Sequence, residues 1–203
     1  MGLYTEQFDS SYDFEKYNGK PKILIIASTG RSGSHMLGHA LHKTGQFGFP
    51  LEYVNLENLN EWKSRLKTNS LHDTLNKIIE KRTSNNGVFS IKIHYSHIKQ
   101  FGGFDNILKF FPTAKFVLLS RRDILKQAIS MTIARQTGIW INGQQGNNSE
   151  PKYNFLQIQN SLKEIMIDNC SWKFKLASCD AKFIELDFKE VKNKEELEAE
   201  FWQ

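Results

Sequence analysis

The chain has 203 residues and a mass of 23.6 kDa, enough to bury one sizeable core and close to the length of a single domain, so residues 1–203 are expected to fold as one unit. No stretch approaches the roughly 20 consecutive apolar residues that cross a bilayer, and the polar start with Glu6, Asp9, Asp13 and Glu15 lacks a signal-like run, which predicts a cytoplasmic protein without a transmembrane segment. The net charge of +5 favours an anionic partner, but its Lys and Arg are interleaved with acids outside Arg121-Arg122, which argues against a nucleic-acid surface; Cys170 and Cys179 lack a CxxC spacing, which argues against a disulfide scaffold or a zinc site.

Residues 1–20 are polar and aperiodic and read as an irregular arm. The β-branched block Lys22 to Ser28 reads as a buried parallel strand that runs into a tight turn at Thr29-Gly30. Ser34 to Lys43 follows as a helix, with Gly45 at its C-terminal cap. Asn60 to Arg82 is helical material, Val88 to Ile93 a second strand, Asp105 to Phe111 a short helical piece and Lys115 to Leu119 a third strand. Asp123 is a candidate N-cap for a helix continuing to Trp140. The Gly/Asn/Gln-rich segment from Asn142 to Lys152 is a loop, Tyr153 to Leu176 is helical, Lys182 to Leu186 is a fourth strand, and a charged helix is expected from about Lys194. This alternation predicts a three-layer α/β sandwich with a mainly parallel central sheet, whose ligands gather at the carboxyl ends of the strands.

Two sites at such ends carry chemistry. Thr29-Gly30-Arg31-Ser32-Gly33-Ser34 joins the first strand to the first helix, where backbone amides and the helix dipole hold anions. Arg31 adds a delocalised charge, and Ser32 and Ser34 add hydroxyls. The turn is P-loop-like, but the GxxxxGK[ST] spacing and its lysine are absent, which weakens the alternative of a nucleotide-dependent phosphotransferase. After the third strand come Arg121, Arg122 and Asp123, with Ser130 about two helical turns on. Two anion sites on separate strands fit a nucleotide with separated phosphates, such as a 3',5'-bisphosphorylated adenosine. His35, His39 and His42 share a helical face but lack the carboxylate of an HExxH zinc site, so no metal is expected.

The run Arg121-Arg122-Asp123-Ile124-Leu125-Lys126-Gln127-Ala128-Ile129-Ser130, continuing to Ala134-Arg135-Gln136-Thr137 and Trp140, resembles the signature of the bacterial trehalose sulfotransferases. Ala27-Ser28-Thr29-Gly30-Arg31-Ser32-Gly33-Ser34 resembles that family's phosphosulfate loop, with His35 in place of Thr. Gly45, Gly48, Pro50 and Glu52 match its GxxGxPxE segment, and Lys92 its strand lysine, whereas His94-Tyr95 replaces a Met-Trp pair. The resemblance covers roughly residues 22 to 190. It implies a PAPS-dependent sulfotransferase acting on a carbohydrate or glycolipid hydroxyl and, by family habit, a homodimer; PAPS is 3'-phosphoadenosine-5'-phosphosulfate and PAP the bisphosphate product.

By that resemblance Thr29, Gly30, Arg31, Ser32, Gly33 and Ser34 bind the phosphosulfate, and Arg121 and Ser130 the 3'-phosphate. Glu52 is the general base and Arg31 steadies the leaving group, with no metal required. His94 and His97 are rival bases. Tyr53, Lys92, His94, Gln136 and Trp140 are candidate contacts to the acceptor. The chain is shorter than the family at its C-terminus, which leaves a non-catalytic PAP-binding module as a further alternative.

Overall fold

In the computed structural model, four parallel strands lie in the order β2-β1-β3-β4: β1 Lys22–Ser28, β2 Val88–His94, β3 Lys115–Ser120 and β4 Phe183–Asp187. The structure describes residues 5–141, 144–147 and 149–192. The charged helix expected from Lys194 therefore lies outside the described residues, as do positions 142, 143 and 148 of the expected loop.

The period-two geometry of a strand sorts its side chains to opposite faces, and this sheet is apolar on both. Ile25 and Ala27 of β1, Phe89, Ile91 and Ile93 of β2, and Phe116 and Leu118 of β3 join one core cluster. Leu24, Ile26, Val88, Val117, Leu119 and Leu186 join the other. Two apolar faces require a layer of helices on each side, because burying each Leu, Ile or Phe stabilises by about 1.5–3 kcal/mol. Helix α1, Ser34–Lys43, covers the second face with Leu37 and Leu41. Helices α2, Leu56–Leu66, α3, Leu71–Arg82, and α4, Phe104–Phe110, cover the first, together with the far half of the long helix α6, Phe155–Ser178. Helix α5, Ile124–Thr137, packs against α6 through Ala128, Met131 and Ile165, and the short α7, Phe188–Lys192, follows β4.

Three segments differ from expectation for local reasons. The helical stretch beginning near Asn60 is two helices. The first starts earlier, at an Asn55 N-cap, and ends where Lys67 turns left-handed (φ 50°); the second starts at Ser70, whose hydroxyl accepts the amide of Asp73 at 3.0 Å. Helix α5 stops at Thr137, where Gly138 takes the left-handed cap (φ 73°), so Trp140 lies beyond it. The N-terminal segment is ordered into two 3-10 turns, Thr5–Phe8 and Ser10–Tyr12. It is pinned where fully buried Arg82 donates to the carbonyls of Gln7 (2.8 Å) and Asp9 (3.1 Å), and where the Trp62 indole donates to Oε1 of Gln7 (3.2 Å).

Two packing details fix the segment that carries Glu52. Leu51 pairs in parallel with Ile91, extending the sheet beyond β2, and its carbonyl accepts the amide of Lys92 at 3.0 Å. On the other side Gly38 of α1 lies so near that a Cβ there would meet the carbonyl oxygen of Pro50 at 2.5 Å. The strand-like Pro50-Leu51-Glu52 segment is thus wedged between sheet and helix.

Candidate active site

The chain runs from β1 to β2 on one side, then crosses back over β1 to β3. The carboxyl ends of β1 and β3 therefore border the switch point of the sheet, where ligands of open α/β sheets settle. A cavity of about 300 Å³ opens there, lined among others by Gly30, Arg31, Gly33, Ser34, Glu52, Lys92, His94, Arg121, Ser130 and Trp140. Residues distant in sequence thus share one wall, including most of the site residues expected from the sequence.

The first part of the wall is the β1–α1 turn. Arg31 sits at φ 64°, a left-handed conformation that is unfavourable for a residue with a side chain. Gly33 sits at φ 91°, with the Phe188 ring packed where its Cβ would be. The turn is braced from behind by α5, because the fully buried Gln127 donates from Nε2 to Thr29 Oγ1 (2.8 Å) and to the Gly30 carbonyl (2.8 Å). Thr29 in turn donates to Asn169 of α6 at 3.3 Å. The first backbone amides of α1 point out of the helix with no intrahelical acceptor. The buried hydroxyl of Ser32 has no hydrogen-bond partner among the described residues.

Arg31 reaches across to α5. Its Nε donates to Ser130 Oγ at 2.9 Å and its Nη1 to the Trp140 carbonyl. Burial, then the nearby charge of Arg121, lowers its pKa from the ordinary arginine value. Arg121 leaves the end of β3 with its guanidinium 5.1 Å from the centre of the Phe188 ring, whereas Arg122 turns to solvent and pairs with Asp187 at 3.8 Å. Three cation and hydroxyl donors, Arg31, Arg121 and Ser130, therefore border one space.

The opposite part of the wall is a carboxylate held by bases. Lys92 and His94 project from β2 to the same face as α1. Glu52 Oε1 lies 2.9 Å from Lys92 Nζ and 3.1 Å from His94 Nε2, and its Oε2 lies 4.0 Å from His97 Nε2. Lys92 is almost fully buried and the Glu52 side chain is 16% exposed. Burial alone would raise the Glu52 carboxyl, but Lys92 and then His94 more than offset it, so its pKa falls well below the usual carboxylate range.

Two hydrogen-bond contacts hold His94: Nε2 donates to the Glu52 carboxylate, and Nδ1 lies 3.0 Å from the hydroxyl of Ser28. His97 Nδ1 accepts the backbone amide of His94 at 3.3 Å, so its proton is on Nε2. Burial, then the nearby His94, brings His97 down to about 3. Both rings are thus held by hydrogen bonds to the protein.

Two expected contacts lie elsewhere. Tyr53 is fully buried in the core, its hydroxyl donating to the Phe49 carbonyl and its phenol pushed up by burial. Gln136 ties the segment after α5 to α6, donating to the Lys152 carbonyl (3.0 Å) and to Gln157 Oε1 (2.7 Å). Conversely Phe188, Asn55, Asn58 and Gln7 line the cavity although no motif marks them. Phe188 alone carries a sequence signal, since it follows β4 at the ligand-binding edge. The three aligned histidines pack as rings, His42 stacking on Phe49 at 4.1 Å, and among the described residues no group of three His, Cys, Asp or Glu is arranged to hold a metal. No helix among them is long and apolar enough to cross a membrane.

The described residues form an α/β protein with an all-parallel sheet and a strand-to-helix turn at its switch point, the place where ligands of open α/β sheets settle. Residues 23–198 match the family described as Stf0 sulphotransferase, and the chain belongs to that family of transferases. No curated protein matches it. Among solved structures it is similar to a sulfotransferase domain from the olefin synthase of Synechococcus PCC 7002, with 13% identity and a TM-score of 0.49 over 93% of this chain and 74% of that one.

Proposed function

We propose that the protein transfers a sulfuryl group from PAPS to a hydroxyl of a carbohydrate or glycolipid, with Glu52 as general base. The observation that carries this reading is the sharing of one cavity by Glu52 and by the donor set of the β1–α1 turn, Arg121 and Ser130. In the reaction the acceptor oxygen attacks sulfur, the bond from sulfur to the 5'-phosphate oxygen breaks, and PAP departs with the bond's electron pair. The acceptor proton passes to Glu52, which is charged and lies in the same enclosure. The turn amides and Arg31 neutralise the leaving phosphate, the task that fixed dipoles and cations perform in a water-poor site. Arg121 and Ser130 hold the 3'-phosphate.

The depressed Glu52 pKa makes it a weak base while Lys92 remains bound to it. An anionic sulfuryl group entering the cavity gives Lys92 Nζ a second partner, and sharing that cation raises the proton affinity of Glu52 when the acceptor proton must be taken. Calorimetric titration of PAP into wild type and Arg121→Ala tests the donor site, followed by PAPS consumption with a panel of sugars and glycolipids. Loss of one charge-assisted contact, about 1.5–3 kcal/mol, predicts roughly ten- to a hundredfold weaker PAP binding by the variant. Absence of PAP binding by the folded wild type would overturn the proposal.

A further inference from the structure

The cavity wall includes a ring that the transfer scheme leaves without a task. His35 is the second residue of α1, lines the cavity and remains partly exposed to it. One turn along α1, Gly38 lies against Pro50 and the His39 ring packs on Phe49, so this side of the helix faces the segment that leads to Glu52. The orientation of the His35 ring is set by a column of rings: His39 lies 4.4 Å away at 62°, Phe49 lies 5.2 Å beyond His39 at 79°, and Tyr12 of the N-terminal segment lies 4.7 Å beyond Phe49. The column begins at the cavity and ends in residues that precede the family match at residue 23.

Burial, then the charge of Lys92, brings His35 down to about 4. The ring is therefore neutral near pH 7 and carries one N–H donor and one lone pair. A base of that strength removes protons poorly, whereas a neutral imidazole suits hydrogen bonding to hydroxyls. Asn55 and Asn58 line the same cavity; Asn58 donates to the Glu52 carbonyl at 3.0 Å.

We propose that His35 is a specificity-determining residue of the acceptor end, hydrogen-bonding a hydroxyl beside the one that is sulfated, so that the cavity selects polyhydroxylated acceptors over alcohols with a single hydroxyl. The inference rests on the assignment of the protein as a PAPS-dependent transferase. An isolated hydroxyl engages Glu52 alone, while a sugar ring offers a neighbouring hydroxyl to the imidazole.

The test compares wild type, His35→Leu and His35→Gln in steady-state PAPS consumption with glucose, trehalose and 2-naphthol, with PAP titrated into each protein. Leucine keeps the packing volume without polar atoms, and glutamine restores a donor and an acceptor. One neutral hydrogen bond of about 0.5–1.5 kcal/mol predicts a sugar KM raised roughly two- to tenfold in the leucine variant. Its kcat and PAP affinity stay within about twofold, and glutamine recovers most of the change. The inference falls if the leucine variant leaves the sugar KM unchanged, if kcat and PAP affinity decline together with it, or if the wild type binds PAP yet sulfates no sugar. Failure of the wild type to bind PAP instead removes the transferase reading itself.

Discussion

The two ends of the cavity are built on opposite principles. At the β1–α1 turn the first amides of α1 have no acceptor within the helix, and the buried hydroxyl of Ser32 has no partner among the described residues. At the other end Glu52 is already engaged by Lys92 and His94 and approached by His97. Buried polar groups left unpaired cost about 1–3 kcal/mol each, and a ligand with anionic oxygens offsets that cost on binding. A carboxylate already paired gains nothing from a ligand until one partner leaves it. Under the proposed function the turn binds and the Glu52 cluster responds.

The contrast breaks most sharply at Glu52. Glu52→Gln keeps the shape and removes the proton acceptor, so PAPS turnover is expected to fall about 10²–10⁴-fold, the usual worth of general base catalysis, while calorimetry shows PAP affinity within about twofold. An equal loss of PAP affinity would mean that the two ends are not separable.

Next in size is Lys92→Met. It strands a buried carboxylate, and breaking such a pair costs about 3–5 kcal/mol, measured as a lower urea midpoint with an unchanged slope. Unaltered stability would show that Glu52 is held by His94 without help from Lys92.

The smallest expected effect, taken per pH unit, is a pH dependence of unfolding. His35 and His97 titrate in the folded protein at about 4 and about 3, below the unfolded value of 6.5. Their neutral forms therefore favour the fold above about pH 6.5, and stability declines as pH falls from there, because the unfolded chain takes up protons that the folded one refuses. Each histidine contributes a slope of up to about 1.4 kcal/mol per pH unit. The lowered Glu52 pKa adds the same sign only below about 4.5, where unfolded glutamate begins to protonate. Urea titrations between about pH 7 and pH 4 check this; stability that stays flat down to about pH 4.5 would contradict the burial of both rings.

Much of the architecture was legible because strands buried on both faces announce themselves. The block Lys22 to Ser28 reads as a strand from its β-branched run, and it is β1 to the residue. The place of the β1–α1 turn was legible for the same reason, since it must follow such a strand and open a helix. Less legible was anything set by contacts between distant segments. Tyr53, beside Glu52 in sequence, looks like an acceptor contact, but the chain turns there, the Asn55 amide donating to the Glu52 carbonyl at 3.2 Å, and the ring enters the core. Nor does sequence show that His94 and Lys92 both converge on Glu52. Gln127 reads only as part of a motif, although its amide is what braces the turn.

The approach of Gly38 to Pro50 links the helix that follows the donor turn to the segment that carries the carboxylate. Any side chain at Gly38 pushes against main chain rather than against a yielding side chain, and the displacement passes along the backbone to Glu52. In a genetic screen for loss of activity, alleles at this glycine would group with alleles of Glu52, although the glycine alleles leave the carboxylate intact.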